Sequence, residues 1–194
     1  MSGGANAKEE KETDQMKYVI ASDLHGSYAY ALKIAEIFKK EKGDKLILLG
    51  DIYNHGPRNP FPEEYAPMKV AEVLNSIKKD LIVIKGNCDS QVDTLISEFD
   101  FIEDCVLTSG KACALLTHGH VYNKDAAPKT EYDAVIYGHF HTGFIERIGG
   151  TVFANAGSLS LPKNGTPSSY MVLEDGLLTL KDTAESKILA EITL

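Results

Sequence analysis

A chain of 194 residues is long enough for one well-buried domain and short for two. Its composition, 43% hydrophobic and 25% charged, is ordinary for a soluble globular protein, and apolar runs such as LILL and LIVI are far short of the roughly 20 residues that span a bilayer. The net charge of −8 argues against a broad nucleic-acid surface or an anionic-membrane surface.

Residues 1–15 contain no large apolar residue after Met1 and read as a disordered tail, with a single domain over 16–194. KYVIA gives a first strand at about 17–21. Ala31, Ile34, Ala35 and Phe38 recur at helical spacing, predicting a helix over 28–42 that Gly43 stops. The strand KLILL follows, then a proline-rich loop over 54–67 and an amphipathic helix through Val70, Val73, Leu74 and Ile77. After the strand LIVIK, the spacing of Val92, Leu95 and Ile96 predicts a short helix. Strands are expected near 104–107, 112–117 and 133–137, and FIERI and TVFAN flank Gly149-Gly150 as a hairpin. SYMVLE, LLTLKD and KILAEITL complete a β-rich end. The opening βαβαβ pattern says α/β, and the later hairpins say the sheets are mixed.

The three cysteines, Cys88, Cys105 and Cys113, include no C-x-x-C pair, and no secretory segment is evident. The chain therefore reads as reduced and cytoplasmic. A two-residue turn at Ser109-Gly110 would place Cys105 and Cys113 on opposite faces of a ribbon, which disfavours a disulfide.

Chemistry collects after the apolar strands. YVIA leads to Asp23 and His25, LILL to Asp51, LIVIK to Asn87, CALL to His118 and His120, and AVIY to His139 and His141. Sites in α/β sheets form at the carboxyl ends of strands, so these groups can converge although they span residues 23–141. Extended backbone within D-x-H and H-x-H would put both side chains on one face. Seven candidate ligands exceed one four-coordinate ion and suit two. A donor set of imidazole, carboxylate and amide suits Mn2+, Ni2+, Fe2+, Co2+ or Zn2+. Two divalent ions outweigh Asp23 and Asp51, and the surplus positive charge calls for an anion, with a phosphate ester the natural guest.

DLHG, GD, GNCD, THGH and GHFH, in this order, resemble the five blocks of the calcineurin-like metallophosphoesterase family, over about Met16 to the C-terminus. The segments NHGPRNPFPEEYAP, NAGSLSLPKNGTPSSY and GNCD narrow the resemblance to its bacterial YfcE-type phosphodiesterases. It implies two mixed β-sheets packed as a sandwich flanked by helices in a four-layer αββα arrangement, which periodicity alone does not reach. It also implies two ions, most readily Mn2+. One is held by Asp23, His25, Asp51 and His141, the other by Asp51, Asn87, His118 and His139, with Asp51 bridging. The implied activity is hydrolysis of a small phosphodiester by a hydroxide that the two ions share. A phosphomonoesterase or nucleotidase is the nearest alternative. A non-catalytic scaffold such as the retromer subunit of similar fold is another, and the complete ligand set speaks against it.

Position 88 carries His in many family members, near the leaving-group oxygen, and Cys88 takes that place. A thiol-phosphatase role fails because no Arg follows at residue 94, which is Thr94. The resemblance makes Asn87, Cys88 and Asp89 the candidate catalytic residues, with Asp89 the acidic partner of position 88. Asn54 and Arg58 in the proline-rich loop, and His120, are candidate substrate contacts. For His120, support around the ligands is the competing reading. For His55 and Arg58, it is a solvated or subunit-contact role. Asn155 is expected to brace the site through turn hydrogen bonds. A diester carries one negative charge, which suits a site lacking extra cationic side chains. Assembly into a homo-oligomer is left open by the sequence.

Overall fold

Alternation along the strands sorts the apolar residues into two layers, and that sorting builds the fold. The computed structural model describes residues 16–194, and the expected tail over 1–15 lies outside the described residues. Strand β1 (Tyr18–Ala21) sends Val19 and Ala21 to one side and Ile20 to the other; β2 (Lys45–Leu48) does the same with Leu46 and Leu48 against Ile47. Val19, Leu46 and their neighbours meet helices α1 (Tyr28–Glu41) and α2 (Pro67–Ser76), while Ile20 and Ile47 face a second sheet. Complete burial of these side chains stabilises by about 1.5–3 kcal/mol each relative to exposure.

The first sheet adds β3 (Leu81–Ile84), β4 (Phe101–Ile102), β10 (Ser169–Glu174), β11 (Leu177–Asp182) and β12 (Ile188–Thr193). Its order is β12-β11-β10-β1-β2-β3-β4, with β1 to β4 mutually parallel and the rest antiparallel. The second sheet comprises β5 (Cys105–Ser109), β6 (Ala112–Leu116), β7 (Ala134–Tyr137), β8 (Phe144–Ile148) and β9 (Thr151–Asn155). Its order is β5-β6-β7-β9-β8, and β6, β7 and β9 run parallel. Both sheets are mixed and pack face to face through a core that includes Met171, Leu116, Ile136 and Ala154. Helices α1 and α2 both lie on the seven-stranded sheet. On the outer face of the five-stranded sheet, Tyr122, Tyr132 and Phe144 pack over Leu115, Val135, Tyr137 and Phe153 where a further helical layer would sit.

Three local expectations differ from the structure. Lys42, not Gly43, takes the left-handed C-cap of α1 (φ 55°), and Gly43 serves packing instead, since a Cβ there would press on Phe38 and Val19 at 2.8–2.9 Å. The segment Gln91–Leu95 is a 3₁₀ turn closed by a Ser90–Asp93 capping box, and Val92 and Leu95 point to solvent. The β5–β6 turn is Gly110-Lys111, one residue later than expected, pairing Thr108 with Cys113. Both registers keep Cys105 and Cys113 on opposite faces, and all three cysteines are free.

Candidate metal centre

Because β1, β2 and β3 are parallel, as are β6 and β7, the polar residues that follow them all emerge at one end of the sandwich. Asp23, His25 and Asp51 come from the first sheet, as does Asn87; His118, His139 and His141 come from the second. Extended backbone does not align them. Asp23, His25, Asp51, His139 and His141 all adopt positive φ, between 50° and 66°. Left-handed geometry costs a non-glycine residue roughly 1–2 kcal/mol, so each turn needs outside support. Cross-strand bonds provide it. The N–H of Asp23 donates to Gly50 O at 3.1 Å and that of His25 to Asp51 O at 2.8 Å, while His139 N–H donates to Asp23 Oδ2 at 2.9 Å. Gly50 and Gly86 let two strand ends close on each other. A Cβ on Gly50 would lie 2.5 Å from Gly86 N, and one on Gly86 would collide with the Asp51 carboxylate.

The polar atoms cluster tightly. Asp23 Oδ1 lies 3.2 Å from His141 Nε2 and 3.6 Å from His25 Nε2. Asp51 sits between two sets of imidazoles, with Oδ2 3.7 Å from His25 Nε2 and Oδ1 3.5 Å from His118 Nε2. His118 Nε2 is also 3.1 Å from Asn87 Oδ1 and 3.3 Å from His139 Nδ1. His25, His118 and His141 each direct Nδ1 at a backbone carbonyl (Asn54, Leu49 and Leu161), at 2.7 Å in every case. A carbonyl only accepts, so Nδ1 carries the proton and the Nε2 lone pair faces the centre.

These residues fit divalent ions. Two acceptors, His25 Nε2 and His141 Nε2, face each other at 3.2 Å, and Asp23 Oδ1 is buried without a hydrogen-bond donor. A cation between them satisfies all three. Within this cluster, Asp23, His25 and His141 offer ligand atoms within 4.8 Å of one another, as do Asp23, Asp51 and His118. Where no ion is bound, protons on the imidazole Nε2 atoms answer the same demand for positive charge, and an ion would take their place. Burial opposes the charged form of Asp23, yet His141 and His25 hold it well below the usual carboxylate range. Burial likewise lowers His25, and Asp23 more than reverses it, raising the imidazole.

The remaining candidates separate. Asp89 is buried and does not engage Cys88 as the sequence suggested. Its carboxylate accepts N–H bonds from Asp51 and Ile52, both at 2.8 Å, and from Gly86 at 2.7 Å. Burial lifts it to about 6 despite those three donors. Cys88 is half-buried beside the ligands, and His25, Asp51 and Cys88 also fall within 4.8 Å. Burial, then the Asp51 charge, pushes its thiol up to about 12, far from a ready nucleophile. His120 is exposed at the rim, its ring 5.4 Å from that of His118. His55 packs on Phe61 and Tyr65. Asn155 Nδ2 donates to Gly138 O and its Oδ1 accepts from Gly157 N–H, the bracing the sequence suggested.

A cleft of about 740 Å3 opens over the centre, lined by Asp51, Asn87, Cys88, His139 and His141 and by the loop carrying Asn54 and Arg58. Lys163 lines it as well. The expectation of a site without extra cations is therefore corrected. No local signal marks Lys163, which reads as a solvated loop lysine. Its place follows from tertiary bonds: its N–H donates to His141 O at 2.9 Å. Ser158 and Ser160 were also missed, and their hydroxyls donate to Asp23 O (2.8 Å) and Leu24 O (2.9 Å).

Comparison with known proteins agrees with this geometry. Phosphodiesterase YfcE of Escherichia coli K12 is 38% identical over 182 residues, 92% of this chain and 98% of its own. The solved structure of YfcE, a phosphoesterase from E. coli, superposes with a TM-score of 0.88 at 37% identity, covering 92% of this chain and 99% of that one. Vacuolar Protein Sorting 29 from Cryptosporidium parvum shares the fold alone, with a TM-score of 0.61 at 19% identity over 93% of this chain and 99% of its own. Residues 16–175 match the Calcineurin-like phosphoesterase superfamily domain, and the chain belongs to that superfamily.

Proposed function

We propose that this protein is a metal-dependent phosphodiesterase acting on a small phosphodiester. The observation that carries the reading is Asp51, whose two oxygens face His25 and His118 on opposite sides, as a carboxylate shared by two ions does. The likeness to the E. coli phosphodiesterase over nearly the whole chain supports it. We assign Asp23, His25, Asp51 and His141 to one ion and Asp51, Asn87, His118 and His139 to the other. Mn2+ is the first choice, and Ni2+, Fe2+, Co2+ and Zn2+ share the same ligand chemistry. Divalent ions bound there supply Lewis-acid polarisation of the phosphoryl oxygens and a lowered water pKa.

The chain's own residues position the reaction. Asn87, exposed in the cleft lining, turns Oδ1 to His118 Nε2 at 3.1 Å and Nδ2 to Cys88 Sγ at 3.4 Å, and a small rotation would bring Nδ2 to a phosphoryl oxygen. Asn54 Oδ1 accepts the Gly56 N–H at 2.8 Å, fixing the loop that presents Arg58 to substrate. His120 contributes at the rim. Asp89 positions the Asp51 turn from behind. Cys88 borders the reacting centre without supplying a nucleophile, so substrates with good leaving groups are favoured. A reduced, cytoplasmic setting suits the free thiols. No helix among the described residues is long and apolar enough to cross a membrane.

The test is turnover of an aryl phosphodiester by protein stripped with chelator and then reloaded with each ion in turn. Activity restored by metal, with Mn2+ among the active ions, is expected. Full turnover in excess chelator with no metal by elemental analysis, or none with any ion, overturns the reading.

A further inference from the structure

Two cations at the mouth of the cleft have no role in holding metal. The Arg58 guanidinium and the Lys163 ammonium make no side-chain hydrogen bond or ion pair among the described residues, and both are exposed. They stand apart from the buried floor, where Asp23, His25 and His141 are at most 2% exposed. Each is nevertheless fixed relative to that floor. His25 donates Nδ1–H to Asn54 O, the first residue of the Arg58 loop, which the Gly56–Asn54 bond and the Asn59–His55 bond (2.9 Å) then close. His141 donates Nδ1–H to Leu161 O and accepts the Lys163 N–H, and Thr142 accepts from Asn164 Nδ2 at 3.0 Å. Two histidines on the same side of the centre thus anchor, through their backs, the two loops that carry the free cations.

The rest of the lining sharpens the chemistry. The mouth is walled by Pro57, Pro60 and Asn59, and the exposed rings nearest to it in the chain, Phe61 and Phe140, are packed on His55 and His139. A volume of about 740 Å3 leaves room for much more than one phosphoryl group. In a chain of net charge −8, two unpaired cations at one opening form a local reversal of sign.

We propose that Arg58 and Lys163 form a second anion subsite, and that the preferred substrates are phosphodiesters with one arm bearing a carboxylate or phosphate. This rests on the phosphodiesterase reading above. The guanidinium presents a planar pair of donors and the ammonium a mobile point charge, and each pairs with a carboxylate or a phosphate.

The experiment compares 4-nitrophenyl phosphodiesters whose second arm ends in a hydroxyl, a carboxylate or a phosphate, with arms of two to four methylenes, together with the simple aryl monoester. Proteins are the manganese-loaded wild type, Arg58→Gln, Lys163→Gln, Lys163→Arg and Lys39→Gln, the last removing an exposed charge at the far end of α1. In the wild type, kcat/KM for the best anionic arm should exceed that of the hydroxyl arm by about tenfold, chiefly through KM, and the margin should shrink as salt rises. That margin should collapse in Arg58→Gln and Lys163→Gln, survive in Lys163→Arg and be untouched in Lys39→Gln. Equal turnover of neutral and anionic arms by the wild type overturns the subsite and leaves the diesterase intact. Preference for the monoester over every diester overturns it too, since the cations then serve the reacting phosphoryl group. Loss of turnover on all diesters takes down the parent reading with it.

Discussion

The carboxylate of Asp89 holds the backbone of Asp51, accepting its N–H at 2.8 Å from within a buried pocket that also collects the amides of Ile52 and Gly86. Two strand ends are thereby tied by one side chain. Asp89→Ala leaves three buried donors without an acceptor, at a cost of about 1–3 kcal/mol for each. Asp89→Asn keeps one oxygen and should lose less. Thermal melts of metal-stripped protein check this, because the bonds do not depend on metal. Equal melting temperatures for wild type and Asp89→Ala would show that the three amides find other partners.

Asp51→Asn removes the charge that faces both imidazole sets while keeping nearly the same shape. Turnover should fall at least about 100-fold, more than the loss typical of a group that only braces a ligand. Metal content by elemental analysis should fall with it. Wild-type metal content in this variant would remove Asp51 from its bridging place.

Cys88→Ala should keep substantial diesterase activity, since a thiol raised to about 12 is not an attacking group. Cys88→His should extend activity toward poorer leaving groups, because imidazole, with a reference pKa of about 6.5, can donate a proton near neutrality. General-acid assistance is typically worth about 10²–10⁴-fold, and an unoptimised position should give less. The comparison is kcat/KM across aryl leaving groups at matched metal loading. Abolished turnover in Cys88→Ala with both ions retained would make the sulfur essential.

Away from the centre, Glu41 at the end of α1 accepts from Tyr170 Oη at 2.7 Å and Lys181 Nζ at 2.9 Å. Burial alone would raise this carboxyl, and Lys181 with Tyr170 lowers it instead. A lowered carboxyl contributes stability above its unfolded pKa and loses it as pH falls through the folded value. Glu41→Gln, which keeps one acceptor oxygen and loses a charge partly screened by solvent, should therefore cost about 1 kcal/mol at neutral pH. The gap from wild type should narrow below about pH 4. Urea titrations at pH 7 and pH 3 measure it, and a gap that stays constant would rule out the ion pair as its source.

Residues that end an apolar run and carry a lone pair were readable from sequence, because a strand delivers its last side chains to one end of its sheet. That was enough for Asp23, Asp51 and His118. The left-handed backbone at Asp23 and His139 was not readable, since a non-glycine residue takes that geometry only when tertiary bonds impose it. Lys163 was hidden for a related reason: the bond that places it comes from His141, on a different loop. The helix expected through Val92 and Leu95 gave way to local capping chemistry, in which Ser90 and Asp93 satisfy each other's backbone and the apolar side chains find no surface to cover.

The seam between the sheets ends at the metal centre, with Asp23, Asp51 and Asn87 rising from one leaf and His118 and His139 from the other. An ion held there acts as a rivet through both leaves. Each tenfold excess of free metal over its dissociation constant adds about 1.4 kcal/mol to keeping them closed. Stripping the metal should then speed hydrogen exchange at the backbone amides of Ile20, Ile47 and Ile136, whose side chains pack between the leaves, while amides of α1 on the outer face change little.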